Sequence, residues 1–133
     1  MNYEEFASGL PLDRTIVFSS AEENEETMLR LGVNQIVRQI GTGTFRSDLA
    51  LRSTEHADFF SDRFSKAISI YLEPPAGTVG ILFPLSASGH FLACGDEVAN
   101  DKLLVQADGS GTDIVVPDLA GSEAIAISEA RFS

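Results

Sequence analysis

The sequence predicts a mainly all-β domain, a sandwich or barrel, with one short helix near its N-terminus. Three observations support this fold class. Short β-like segments occupy nearly all of the chain after Val33, turn residues separate them at regular intervals, and one helical pattern precedes them. The chain has 133 residues, 44% of them hydrophobic, which suffices for one domain with a substantial core.

The one predicted helix covers Ala21–Leu31. Ser19 or Ser20 can cap its N-terminus, and Glu22 stands in the first turn, where the helix dipole favours a negative charge. Gly32 is typical of a helix end. Residues 1–13 are mixed in character and are predicted to be a loosely packed arm of a single domain that covers residues 1–133.

The predicted strands share a local alternation and are separated by turn residues. They cover Thr15–Phe18, Val33–Ile40, Thr44–Ser53, Ala57–Arg63, Lys66–Glu73, Thr78–Leu85, His90–Ala93, Lys102–Gln106, Thr112–Val116 and Glu123–Arg131. The turn Gly41-Thr42-Gly43 predicts a hairpin between the second and third of these segments. After that turn, alternation places Phe45 and Leu49 on an apolar face, and Arg46 and Asp48 on a charged, solvated face.

Acidic residues dominate the charge of the chain. The net charge is −11, with 20 Asp plus Glu against 9 Lys plus Arg. Such a chain repels phosphate backbones and acidic membrane surfaces, which argues against direct binding to nucleic acid or membrane. The one cysteine, Cys94, cannot form an internal disulfide and is interpreted as a small core residue. An acidic N-terminus and the lack of an apolar run of about 20 residues add to a prediction of cytoplasmic location.

The histidine count limits the possible metal chemistry. His56 and His90 are the only histidines, so a three-histidine metal site cannot be built. The spacing of His56 and Asp58 places both side chains on one strand face, and His90 could complete a two-histidine, one-carboxylate iron site. The Gly41–Gly43 turn lacks the Lys-Ser/Thr ending of a phosphate loop. We therefore predict no catalytic residue, bound metal or cofactor, and keep the iron site as an alternative.

Four segments carry a family resemblance. The first, Gln35-Ile36-Val37-Arg38-Gln39-Ile40-Gly41-Thr42-Gly43-Thr44-Phe45-Arg46, is similar to the wording Gln-Leu-Gly-x-Gly-x-Phe-Arg-Gly. The others are Ile81–Leu85, Gly89–Gly95 and Asp101–Val105, the last of which runs into Asp108-Gly109. Over Glu22–Phe132 the chain thus resembles the N-terminal ligand-binding or dimerisation domain of AraC-type transcription regulators. Ser47 and Ala107-Asp108 depart from the family's usual Gly and Pro-Pro.

The resemblance implies a cupin-like jelly-roll β-barrel that binds an effector in its lumen or on its flanks. In the family, two dimerising helices and two helix-turn-helix units follow this domain, and no helix-turn-helix pattern occurs in this chain. The leading hypothesis is a non-enzymatic effector-binding or dimerisation domain that forms a homodimer and takes an unknown small-molecule effector. A DNA-binding domain would be attached if the natural chain is longer.

Four side chains are predicted to line the effector site, because such sites combine apolar walls with a few polar groups. They are Tyr71, Phe83, His90 and Phe91. The strand that contains Phe83 is predicted to be buried on both faces. Two other functions remain open: a small stand-alone cupin enzyme with an atypical metal site, and an interaction module whose barrel is packed solid.

Overall fold

A computed structural model describes residues 2–8, 14–107 and 110–128. Within these ranges the helices are α1 (Tyr3–Ala7) and α2 (Ala21–Arg30). The strands are β1 (Thr15–Phe18), β2 (Asn34–Gln39), β3 (Ser47–Ser53), β4 (Ala57–Phe64), β5 (Ile68–Glu73), β6 (Thr78–Ser86), β7 (Phe91–Ala93), β8 (Asp96–Val98), β9 (Leu104–Gln106), β10 (Thr112–Val116) and β11 (Ala120–Ser128).

The strands form two antiparallel sheets with jelly-roll topology. One sheet has six strands in the order β1-β3-β4-β11-β6-β9, and the other has five in the order β2-β5-β10-β7-β8. Strand β4 pairs with β11, β5 with β10, β6 with β9, and β7 with β8, as in one long hairpin rolled up across two sheets. This is the double-sheet arrangement of jelly rolls, cupins among them. The predicted fold class, a mainly β, cupin-like jelly roll with a short N-terminal helix, is confirmed.

The core lies between the two sheets. Its most deeply buried apolar side chains come from both of them, and they include Phe91, Leu49, Ile68, Ile114, Val37 and Val116. Helix α2 closes the side of the core next to β2 and buries Ala21, Asn24 and Met28. The spacing of these three positions is that of one helix face, so the face that α2 turns inward carries one polar residue.

Helix α2 is capped and tied to the exposed edge of the five-stranded sheet. Ser20 Oγ accepts a 3.2 Å hydrogen bond from the backbone nitrogen of Glu23, as the sequence predicts for an N-cap. Glu25 Oε1 accepts a 2.7 Å hydrogen bond from the backbone nitrogen of Val37 and lies 3.1 Å from Arg38 Nη1. The helix therefore covers a backbone donor of edge strand β2, which protects that edge from pairing with another chain.

The hairpin predicted at Gly41–Gly43 is not formed. Strand β2 pairs with β5 in one sheet, whereas β3 pairs with β1 and β4 in the other, so the turn carries the chain between sheets. The backbone nitrogens of Ile40 and Gly41 donate to the carbonyl of Ala67, at 2.8 and 3.0 Å. Local alternation identifies a strand but does not identify its partner, which explains the error.

The charged face predicted on β3 is partly covered. Arg46 and Asp48 form an ion pair, with Nε 3.0 Å from Oδ1, but the Asp48 side chain is only 8% exposed. Tyr3 of α1 lies over this pair, and its hydroxyl donates a 2.6 Å hydrogen bond to Asp48 Oδ1. The guanidinium of Arg46 also stacks 5.5 Å from the centre of the Tyr3 ring. The segment predicted as an arm therefore contains a helix, and residues 9–13 lie outside the described ranges.

Three other predictions differ from the structure. Strand β8 (Asp96–Val98) has no counterpart among the predicted strands. Cys94 is exposed in the turn between β7 and β8, with φ 50°, and is not a core residue, because a tight turn places its side chain outside the sheets. Strand β11 begins at Ala120 rather than Glu123, and the predicted end of that segment lies outside the described residues. No helix in the described ranges is long and apolar enough to cross a membrane.

Candidate functional site

A cavity lies between the two sheets next to α2. The centres of water-sized molecules can occupy about 70 Å³ of this cavity. One water needs roughly 10–15 Å³ by this measure, so the cavity has room for a few waters or a small organic molecule. Its walls are mainly apolar and come from both sheets, with major contributions from Phe60, Phe64, Ile70, Leu82, Phe91, Ile114 and Val116. The barrel is therefore not packed solid.

Five polar side chains interrupt these apolar walls. One of them, Gln106 of β9, donates from Nε2 to the carbonyl oxygen of Leu72 at 3.1 Å. We call the other four the polar corner, and they are Asn24 of α2, Gln35 of β2, Asp62 of β4 and Ser122 of β11. Gln35 Nε2 donates a 2.7 Å hydrogen bond to Asn24 Oδ1. Ser122 and Asp62 are directly opposite each other across the β4–β11 pair, which places both side chains on the inner face of the sheet.

Asn24 has an unpartnered donor in this corner. The residue is 1% exposed, and its Nδ2 has no hydrogen-bond partner among the described residues. A buried polar group without a partner costs about 1–3 kcal/mol, so such a group is rare in a native core. Because the bond from Gln35 occupies Oδ1, Nδ2 is the Asn24 atom that lacks a hydrogen bond of normal geometry.

Asp62 lies beside Asn24 and takes up protons near neutral pH. Burial raises the pKa of Asp62 from 3.8 to about 7, with a further contribution from Glu123. Arg63 and the Asn24 amide act in the opposite direction because they favour the ionised carboxylate. No hydrogen bond of normal geometry joins Asn24 Nδ2 to this carboxyl group. The residue keeps some exposed surface because it borders the cavity.

Of the four side chains predicted to line the lumen, Phe91 is placed there. It is 1% exposed and forms part of the cavity wall. Tyr71 lies on the other face of β5 from the cavity-lining Ile70 and Leu72, and its hydroxyl donates a 3.0 Å hydrogen bond to Glu73 Oε1. His90 is exposed, with Nδ1 3.4 Å from Glu97 Oε2.

Phe83 points away from the lumen. In β6, Leu82 and Pro84 are buried, whereas Phe83 is 38% exposed on the outer face of the six-stranded sheet. There it lines a wide surface groove together with Phe59 and Arg52. The prediction that this strand is buried on both faces is therefore wrong at Phe83. Its residues are apolar on both faces, so alternation alone does not show which face meets the core.

The residues of the alternative iron site are not assembled. His56 is exposed, and its Nε2 lies 3.6 Å from Glu55. His90 has Glu97 as its acidic neighbour on the other sheet. Among the described residues, no three His, Cys, Asp or Glu side chains are close enough to hold one metal ion.

The polar corner was missed in the sequence, although two local signals point to it. In β4, Asp62 alternates with Phe60 and Phe64, so an acid falls on the apolar face of a strand. In α2, Asn24 lies one turn before Met28 on the inward face. A polar residue on an otherwise apolar face is a sign of a specific buried role.

The comparisons with known proteins yield one structural likeness. No protein-family model matches the chain, and no curated protein matches its sequence. A crystal structure of a predicted oxalate decarboxylase from Thermotoga maritima is similar to it at 14% sequence identity, with a TM-score of 0.48. The alignment covers 84% of this chain and 98% of that one. The jelly-roll assignment itself rests on the strand pairing described above.

Proposed function

We propose that this chain is the effector-binding or dimerisation domain of a cytoplasmic AraC-type transcription regulator, and that its effector binds in the cavity between the sheets. The observation that supports a binding role most directly is the unpartnered Asn24 Nδ2 beside an open, apolar-walled space. Small-molecule sites typically combine apolar walls with a few well-placed polar groups. A ligand acceptor at this position would satisfy the donor that the protein leaves unpaired.

The position of the cavity suggests how a signal would leave it. Asn24 and Met28 of α2 line the cavity, and the same helix binds the edge strand β2 through Glu25. A ligand that contacts α2 would favour one position of this helix against β2 over another, which is the differential interaction that a sensor needs. In the proposed homodimer, that shift would alter the packing against an attached DNA-binding domain.

Ligand-observed NMR with a library of small neutral molecules tests the binding site. The variant Ala126→Leu adds bulk inside the cavity, and Ala57→Leu adds the same bulk on the outer face of β4 as the matched control. We expect hits with the parent and with Ala57→Leu, and loss of those hits with Ala126→Leu. Hits that survive in a folded Ala126→Leu protein, or no hits at all, would overturn the cavity assignment.

A transcription reporter tests the regulator role. The chain is fused in front of a DNA-binding domain that represses only as a dimer, and the reporter is read with and without a bound hit. We expect repression that depends on this chain and changes when the hit is added. A monomeric, ligand-insensitive fusion would contradict the proposal, as would purified protein that holds stoichiometric iron, zinc or manganese through His56 and His90.

A further inference from the structure

We infer that Asn24 and Asp62 together form the head-group site of the cavity, and that its ligand is a small uncharged molecule with an apolar body and one alcohol or primary amide head. This inference rests on the proposed binding role of the cavity and specifies the chemical class of the ligand. It is carried by the position and hydrogen bonding of two side chains from separate elements, α2 and β4, that border the same space.

The orientation of Asn24 determines one half of the recognition. Gln35 Nε2 donates to Asn24 Oδ1 at 2.7 Å, and the Asn24 amide lowers the pKa of Asp62, which places Nδ2 on the side of that carboxyl group. Nδ2 is then a buried donor on a side chain that lines the cavity, and it has no hydrogen bond of normal geometry among the described residues. The head group must therefore offer an acceptor to Asn24.

Asp62 determines the other half. The Asp62 carboxyl group accepts hydrogen bonds in either protonation state, so a head group that offers a donor matches Asp62. Arg63 and Glu123, which form an ion pair with Nη2 2.9 Å from Oε1, are the charged groups that act on Asp62 together with the Asn24 dipole. Arg63 is already paired with Glu123, so the Asn24 amide is the neutral group that favours the ionised form of Asp62. A ligand donor would add a second such group.

A single hydroxyl or primary amide meets both requirements. Each offers an acceptor to Asn24 and a donor to Asp62 from the same group. Above pH ~7, where Asp62 is ionised, a carboxylate ligand would place a second negative charge against it. An ammonium would leave Asn24 without an acceptor. A pure hydrocarbon would fill the space but leave both polar groups unsatisfied.

The apolar walls set the rest of the ligand. Phe60, Phe64 and Phe91 line the cavity. The centres of water-sized molecules can occupy about 70 Å³ of it, so the cavity admits an apolar body of only a few carbon atoms. Each buried CH₂ contributes roughly 0.8 kcal/mol, so a short branched chain gains affinity from these walls. The branched four-carbon skeleton of 2-methylpropanol is a suitable probe.

The test uses four probes with this skeleton: 2-methylpropanol, 2-methylpropanamide, 2-methylpropanoate and 2-methylpropylammonium. Binding to the full chain is followed by chemical-shift changes in ¹⁵N-labelled protein. We expect the alcohol and the amide to give saturable chemical-shift changes at cavity residues. Both ions should bind with an affinity at least about tenfold lower, which is the loss that one or two missing hydrogen bonds cause.

Variants separate the head-group site from the cavity as a whole. Asn24→Leu keeps the side-chain size and removes both the Nδ2 donor and the Oδ1 acceptor of Gln35 Nε2. Asn34→Leu makes the same change at an exposed position of β2 and is the matched control. We expect the alcohol and the amide to lose about tenfold in affinity with Asn24→Leu and to keep parent affinity with Asn34→Leu. Unchanged affinity in Asn24→Leu, with binding still abolished by Ala126→Leu, would overturn the head-group assignment alone.

Other outcomes are equally decisive. Equal or tighter binding of either ion would overturn the ligand class while leaving the cavity as a binding site. No saturable shift with any of the four probes, together with no library hit, would mean that the cavity holds only water and would overturn this inference and the proposed function together. Selective binding of the alcohol and the amide that requires Asn24 would support both.

Discussion

The side-chain amide of Gln35 donates a 2.7 Å hydrogen bond to Oδ1 of Asn24 and thereby joins strand β2 to helix α2 inside the core. This one bond holds the Asn24 amide in place, and Nδ2 is left without a hydrogen bond of normal geometry among the described residues. A site held in this way loses little freedom when a ligand binds, which favours affinity. The polar corner is therefore an organised feature of the fold and the natural target for experiments.

Asp62 makes the stability of the domain depend on pH. Burial raises its pKa from 3.8 to about 7, so the folded state holds the proton more tightly than the unfolded state. The resulting stabilisation is complete below pH ~4 and is lost as the pH rises through ~7. Each pKa unit corresponds to about 1.4 kcal/mol, so the whole effect is at most ~4 kcal/mol.

We therefore expect Asp62→Asn to flatten the fall in unfolding free energy between pH 4 and pH 8, and to be more stable than the parent at pH 8. Urea denaturation at a series of pH values measures this directly. Asp96→Asn in β8 is the control for removing an exposed acid from a strongly acidic chain. A variant at Asp62 that keeps the slope of the parent would contradict the assignment of the proton to this residue.

Two phenylalanines should differ sharply in their effect on stability. Phe91 is 1% exposed in the cavity wall, whereas Phe83 is 38% exposed on the outer face. Truncation of a buried Phe typically costs about 3–5 kcal/mol, so Phe91→Ala should approach that loss in chemical denaturation. Phe83→Ala is the matched control and should cost about 1 kcal/mol or less. Equal losses would mean that the inward face of β6 has been assigned wrongly.

Gly121 allows two strands to approach each other closely. A Cβ at this position would lie 1.9 Å from the carbonyl oxygen of Asp62, which is backbone and cannot move aside. We expect Gly121→Ala to destabilise the fold by about 1–3 kcal/mol or more, through strain in the β4–β11 pair. At Gly80 of the neighbouring β6, the nearest atom is 3.5 Å away, so Gly80→Ala should be tolerated. Thermal unfolding of both variants provides the comparison, and a stable Gly121→Ala protein would argue against this strand register.

The N-terminal helix α1 should contribute to stability through Tyr3. Its hydroxyl donates a 2.6 Å hydrogen bond to the nearly buried Asp48, and burial together with this bond raises the pKa of Tyr3 well above its usual range. A hydrogen bond to a charged group contributes about 1.5–3 kcal/mol, so Tyr3→Phe should lower the unfolding free energy by a comparable amount.

The matched control for this change is Tyr71→Phe, which removes a hydroxyl that donates to Glu73. We expect a smaller loss there, because water can replace that bond. Urea denaturation and hydrogen exchange of residues 2–8 report on the two variants. If Tyr3→Phe has the same unfolding free energy and the same hydrogen-exchange rates as the parent, helix α1 adds nothing to the stability of the domain. The arm is then loosely packed, as the sequence alone predicts.

Local patterns in the sequence predicted most strands, the Ser20-capped helix and the all-β class. Hydrophobic alternation and turn residues act over a few neighbours, so they are readable without the fold. The same patterns failed at Gly41–Gly43 and at Phe83. Which strand is the partner and which face is inward depend on distant residues, and alternation has the same period whichever face meets the core.

The candidate site shows the same division. The sequence by itself determined that the chain carries few histidines, an acidic surface and enough short strands for a two-sheet fold, because composition and alternation are local properties. Only the tertiary structure decided that Asn24 and Asp62 border one cavity. They belong to a helix and a strand that lie far apart in the sequence and are brought together only when the two sheets close on each other, so no local pattern could place them at one site.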